Sequence, residues 1–164
     1  SYLRPDKNNA HEEASQAVIR DVAAEMGFDL PPGGRRGLFM AMGNMNDAER
    51  EAYMAEYQRV QDAAADRIVA EVNPVAPPVD VGDLVDHIDY LVDLNGLEHV
   101  GISSDFDGGG GDEGWMDASE TFNVTLELDR RGYTEEEIGM LWSGNLLRVL
   151  DEVQAIAAEI QAEG

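Results

Sequence analysis

The stretch Leu97-Glu-His-Val-Gly-Ile-Ser-Ser-Asp105-Phe-Asp107-Gly108 decides how the rest of this chain is read. Val100 and Ile102 are β-branched and apolar, while Gly101, Ser103 and Ser104 are small, a composition that suits a buried parallel strand. The pattern predicts a strand from about Glu98 to Ser104, with Asp105 at its exit. In α/β enzymes catalytic side chains collect at such exits, because the strand is rigid and its C-terminal end opens into the ligand crevice. Glycines occupy every position from Gly108 to Gly111, so no side chain there crowds the space above Asp105. The same residues also fit an ordinary strand whose terminal Asp starts a turn.

Outward from this stretch the signals are helical. Asp80 can cap a helix that carries Asp83 in its first turn and buries Leu84, Ile88 and Leu91, and Asn95-Gly96 stops it. A helix feeding directly into a buried strand is one unit of an α/β repeat. On the other side, Ala118 to Arg131 reads as helix, ended by Gly132. Thr134 with Glu137 forms a capping box for a short helix through Trp142. Ser143 or Asn145 starts the last helix, whose stripe is Leu146, Leu150, Val153, Ala157 and Ile160.

The N-terminal half follows the same rules. Residues 1–9 are expected to be a strand exit or loop, Ala10 to Gly27 helix, and Leu30 to Arg36 loop by its turn chemistry. Gly37 to Asn44 is apolar without a period, and Met40, Met42 and Met45 are expected to fill irregular core gaps. Asn46 to Val72 is a long helix with Tyr53, Tyr57, Val60, Ala64 and Ile68 on one face. Asn73-Pro-Val-Ala-Pro-Pro78 breaks it and is too short to argue two domains, so residues 1–164 are read as a single partial domain. The content is helix-dominated with one strand, which is odd for a free-standing domain because a lone strand has no ladder partner.

Composition sets limits on partners. The chain has 34 acidic and 11 basic residues and a formal net charge of −23, so it lacks the basic footprint that nucleic acid or an anionic membrane surface requires. No Lys or Arg occurs from Ile68 to Asp129, which is either a solvated acidic surface or a negative field that favours cations. There is no cysteine, which excludes disulfides and thiolate metal sites. No apolar run approaches 18 residues, so no membrane span is expected.

The ordered motifs resemble those of the membrane (renal-type) dipeptidases, zinc metallopeptidases of amidohydrolase-like barrel fold. Gly101-Ile-Ser-Ser-Asp-Phe-Asp-Gly108 is similar to that family's strand-end signature. Asp86-His-Ile-Asp-Tyr-Leu-Val92 precedes it, and Thr121-Phe-Asn-Val-Thr125, Arg130-Arg-Gly-Tyr-Thr-Glu-Glu136 and Gly144-Asn-Leu-Leu-Arg-Val149 follow at similar spacing. The likeness is clear from about residue 80 to 153 and weak before it. It implies an α/β fold, in which this chain is the C-terminal segment of a (β/α)8 TIM-like barrel. Such a barrel needs roughly 250 residues, so the chain is expected to be part of a longer protein.

The resemblance also implies a site. Asp105 would be the catalytic carboxylate, taking a proton from a water bridging two zinc ions and later handing it to the leaving amine. The zinc ligands in that family include a His-x-Asp pair, absent here, so they would lie upstream of this chain and no metal ligand is assigned within it. Ser103-Ser104 stands where the family often has Gly-Ser. Asp107 and Gly108 are assigned to the glycine loop, with Asp107 bonding its backbone N–H groups or pairing with Asp105, and the structural role is preferred. His87, matched by a family His, is read as a packing or hydrogen-bonding residue, and His11 as exposed. The substrate implied is a dipeptide, and the partners are the remaining N-terminal part of the barrel and, as one option, a second copy in a homodimer. The competing readings are a catalytically inactive barrel relative and an acidic helical module that binds protein or calcium. The glycine loop does not fit a P-loop, lacking Gly-Lys-Ser/Thr, or an EF-hand, where position twelve would be Met116.

Overall fold

Caps and apolar stripes are local signals, and the fold is assembled from them. The computed structural model describes residues 3–106 and 111–163. These contain α1 (Pro5–Met26), α2 (Gly34–Met42), α3 (Asp47–Arg67), α4 (Val81–Asn95), α5 (Thr121–Arg130), α6 (Glu135–Gly139) and α7 (Asn145–Glu163). Two compact units result. One is Pro5–Pro78, and the other runs from Val79 onward and includes Leu3 and Arg4.

In the first unit, α1 starts at Pro5, so residues 5–9 are helical rather than loop. Proline suits a first helical turn, where its missing N–H would have had no partner. α1 buries Val18, Ile19, Val22 and Ala23 against Val60 and Ala64 of α3 and against Val72. Gly27, at φ 71°, ends it, and the Phe28 N–H returns to the Ala23 carbonyl at 2.8 Å. α2 occupies the stretch that shows no period, turning Leu38 inward and leaving Met40 69% exposed, so Met40 is not a core filler. Asn46 caps α3 in a reciprocal box with Glu49. The long helix then widens into a π-helical turn, Ile68–Val72, before the proline segment ends it. His11 is partly buried, not exposed. Its Nδ1 lies 2.8 Å from the Ala76 carbonyl, which can only accept, so Nδ1 carries the proton.

The second unit corrects the expected fold class. Leu97–His99 is a 3-10 turn, Val100 is extended at φ −112°, ψ 138°, and no strand or sheet forms among the described residues. The only β pairings there are isolated bridges, Asp80 with Glu113 and Asp112 with Trp115. The α/β assignment with one strand in a barrel segment is therefore replaced by a helical fold. The physical reason is the ladder. Extended backbone persists only where its N–H and C=O groups find partners, and here helix α7 and the turn before it supply them in place of neighbouring strands.

Around that segment, Val81, Leu84, Val85 and Ile88 of α4 pack with Val100, Trp115, Val124, Leu128 and Leu141 in one core. Asp80 and Asp83 form the expected capping box at the start of α4, and Thr134 and Glu137 form another at α6. The helix predicted from Ala118 begins as a 3-10 turn and becomes α5 at Thr121. α6 continues through a π-helical turn, Met140–Gly144, into α7. Asn145 is buried at the start of α7, whereas its apolar stripe faces solvent, with Leu146 71% and Ile160 66% exposed.

Candidate functional site

Asp105 lies at the end of the irregular segment, exposed to solvent. What precedes it is tightly held. The Asn145 amide, 6% exposed, donates to the carbonyls of Leu97 at 2.7 Å and Val100 at 2.8 Å. Arg148, one turn later on α7, donates to the Glu98 carbonyl at 2.8 Å. In the other direction the Ile102 N–H donates to the Leu141 carbonyl at 2.9 Å. Leu141 lies in the π-helical turn, where the wider winding leaves carbonyls outside the regular i→i−4 ladder. The segment that carries Asp105 is thus clipped to one helix start.

An aromatic stack holds the residue after Asp105. Phe106 meets Trp115 edge-on at 5.3 Å between centroids, and Trp115 meets Trp142 edge-on at 6.0 Å. Such edge-to-face pairs add about 0.5–1.5 kcal/mol beyond area burial. Both indole N–H groups are satisfied, Trp115 by the Thr121 hydroxyl at 3.1 Å and Trp142 by the Thr125 hydroxyl at 2.9 Å. Both threonines belong to the Thr121–Thr125 motif, whose role is therefore to orient the indoles.

Two other motifs interlock. Arg131 donates to Asp86 at 2.6 Å, Asp89 at 2.7 Å, Glu127 at 3.1 Å and the Gly82 carbonyl at 2.9 Å. Tyr133 donates to the other Asp89 oxygen at 2.6 Å. Burial alone would lower the Arg131 pKa, but the hydrogen bonds that Arg131 donates to Asp86, Asp89 and Glu127 outweigh it and raise it. Burial, followed by the hydrogen bond to Asp89, pushes the Tyr133 phenol above its ordinary value. This network ties the start of α4 to the end of α5.

His87 stands exposed on the outer face of α4, stacked on Tyr90 at 6.5 Å between ring centroids. Asp107 and Gly108 lie outside the described residues. An open cleft of about 360 Å³ in this unit is lined by Asp80, Glu113, Asn123, Glu127 and Arg130, and Asp105 does not line it. Among the described residues, no three His, Cys, Asp or Glu side chains converge to hold a metal ion.

The description "Membrane dipeptidase (Peptidase family M19)" matches residues 53–164, more than half of the chain. The chain belongs to the membrane dipeptidase family. It is 44% identical to dipeptidase ataJ of Aspergillus terreus over 82 residues, covering 49% of this chain and 20% of that protein. It is 35% identical to dipeptidase aclJ of Aspergillus oryzae over 106 residues, 64% of this chain and 22% of the relative. Against the probable dipeptidase PvdM from Pseudomonas aeruginosa, a crystal structure, the identity is 38% and the TM-score 0.48, covering 87% of this chain and 34% of that one. The chain spans about a fifth of the length of the curated relatives it matches.

Within this membrane dipeptidase chain, sequence reading singled out Asp105 but missed the residues that hold its segment. Asn145 figured only as one of two starts for the last helix, and Arg148 only as part of a motif. Their carbonyl partners lie more than 40 residues away, beyond the reach of local pattern. The signal that could have found them was the pairing of the Gly144–Val149 motif with the Leu97–Asp105 stretch.

Proposed function

We propose that the protein carrying this chain is a dipeptidase that hydrolyses the peptide bond of small dipeptides, with Asp105 as its proton acceptor and donor. The observation that carries this is an exposed carboxylate on a clamped segment, inside the stretch matched to the membrane dipeptidases. A carboxylate beside the attacking water takes its proton and then gives it to the departing amine, which contributes typically about 10²–10⁴-fold. That transfer needs the group held near its productive geometry, and the anchoring by Asn145, Leu141 and the aromatic stack supports it. Asp107 and Gly108 serve the adjoining loop in this reading, and His87 stacks on Tyr90 on the exposed face of α4.

Dependence on two zinc ions is part of the same proposal, their ligands coming from residues outside those described. Removal of metal by a chelator is expected to abolish dipeptide turnover while the tryptophan emission of Trp115 and Trp142 is kept.

The experiment is release of free amine from a panel of unmodified dipeptides by the wild type and by Asp105→Asn. Loss of turnover by about 100-fold or more, with tryptophan emission unchanged, is the expected result. Turnover within about tenfold of wild type, or ~1.4 kcal/mol in barrier, removes Asp105 from the role. A wild type that cleaves no dipeptide removes the dipeptidase reading itself.

A further inference from the structure

We infer that Asn145 is a positioning residue for Asp105, and that the start of α7 clamps the Asp105 segment in place of sheet pairing. The inference rests on the proposed role of Asp105. Segment 97–102 opens as a 3-10 turn and turns extended at Val100, where no neighbouring strand among the described residues takes its carbonyls. Instead both N–H groups of one buried amide are spent on it, to Leu97 and Val100, and Arg148 takes the Glu98 carbonyl between them. The opposing bond, Ile102 N–H to Leu141 carbonyl, fixes the far side of Gly101. These bonds converge from within one helical turn of Asn145, so the Leu97–Ile102 stretch moves as a body with the α7 start. Asp105 follows three residues later and Phe106 is pinned by Trp115, which leaves the carboxylate between two fixed points.

The chemistry of the amide is specific. Asn145 meets two acceptors and supplies two donors. Aspartate has the same shape but no donor when ionised, so Asn145→Asp would set a carboxylate against two carbonyl oxygens. Alanine removes the donors, takes from the buried Val100 carbonyl the amide that meets it, and leaves the Leu97 carbonyl with the Val100 N–H at 3.2 Å. Arg148, whose side chain is 41% exposed, can be changed with less risk to folding.

The test is a double-mutant cycle on kcat for dipeptide hydrolysis, with Asn145→Ala, Arg148→Ala and Asp105→Asn. Asn145→Ala is expected to lower kcat by about 10- to 100-fold, the cost of displacing a reacting group by about an ångström, with KM changed less than about twofold. Arg148→Ala is expected to act in the same direction and less. If Asn145 acts through Asp105, its effect on kcat shrinks to within about twofold in the Asp105→Asn background. Full additivity of the two substitutions, or an Asn145→Ala enzyme with wild-type kcat, overturns the clamp while leaving Asp105 in its role. An Asp105→Asn enzyme with wild-type kcat instead overturns the Asp105 reading. A second readout does not require activity. Hydrogen exchange of the Ile102 amide is expected to accelerate in both Asn145→Ala and Arg148→Ala, and unchanged protection in both also overturns the clamp.

Discussion

Tyr133 donates its phenol proton to Asp89 at 2.6 Å, while Arg131 holds the other oxygen of the same carboxylate at 2.7 Å. One acid on α4 is therefore satisfied twice by residues that flank Gly132. The Arg131 side chain is only 25% exposed and makes four contacts in a fixed fork. Arg131→Ala strips donors from three carboxylates at once. Hydrogen bonds to charged groups are worth about 1.5–3 kcal/mol, and the partial exposure of Asp86 places the expected loss at the lower end. Arg131→Lys should recover little, because an ammonium cannot serve the Gly82 carbonyl, Asp86 and Asp89 in one plane. A urea midpoint shift with unchanged slope, followed by tryptophan emission, measures both.

The pH response of this network has a defined sign. The Tyr133 pKa is raised in the folded protein from its ordinary value of 10.0. A raised pKa means that the neutral phenol is favoured by folding. Its contribution is complete below pH 10 and is lost as pH climbs through the higher folded value. Tyr133→Phe is expected to cost about 1 kcal/mol at pH 7 and to make the stability curve flatter between pH 10 and 12. A variant whose alkaline slope matches wild type would show that the phenol does not titrate with unfolding.

Local signals carried over from sequence to structure and distant ones did not. Asn46, Asp80 and Thr134, each followed three residues later by an acid, form reciprocal caps because every partner lies within one turn. Leu84 and Ile88 share a buried face for the same reason. Glu98 to Ser104 misleads because β-branched composition reports only suitability for a strand, whereas a strand exists through its neighbours. The acceptors of that segment are met by Asn145, 45 residues from Val100, and no window of the sequence contains both. Met40 fails differently. Without a period, apolar residues give no face, and α2 spends its short length burying Leu38. Asp105 was legible as a candidate because its residue type and glycine-rich surroundings are local, while what holds it is not.

The core of the second unit is a direct test of the packing. Leu128 is 0% exposed and sits with Val124, Leu141 and Val85 in one cluster. Leu128→Ala leaves a void there and loses dispersion contacts on every side. The expected destabilisation is about 2–5 kcal/mol. Because Trp115 packs in the same cluster, a red shift in its emission below the unfolding midpoint would reveal partial relaxation. A loss under about 1 kcal/mol would mean that Leu128 is not enclosed in this way.

Two glycines in the same motif region should respond to alanine with opposite signs. Gly132 ends α5 at φ 93°, in the region that L side chains rarely adopt, yet an added Cβ there meets nothing within 4 Å. Its cost is purely conformational, roughly 1–2 kcal/mol. Gly139 lies in α6 at φ −61°, ψ −39°, and an added Cβ again meets nothing within 4 Å. There alanine restricts the unfolded chain at no steric cost, so Gly139→Ala should stabilise by about 0.5–1 kcal/mol. Since neither site gains or loses a contact, the difference between the two isolates backbone preference. Equal shifts in the denaturation midpoint would refute the left-handed conformation assigned to Gly132. The expected pair is a fall for Gly132→Ala and a rise for Gly139→Ala.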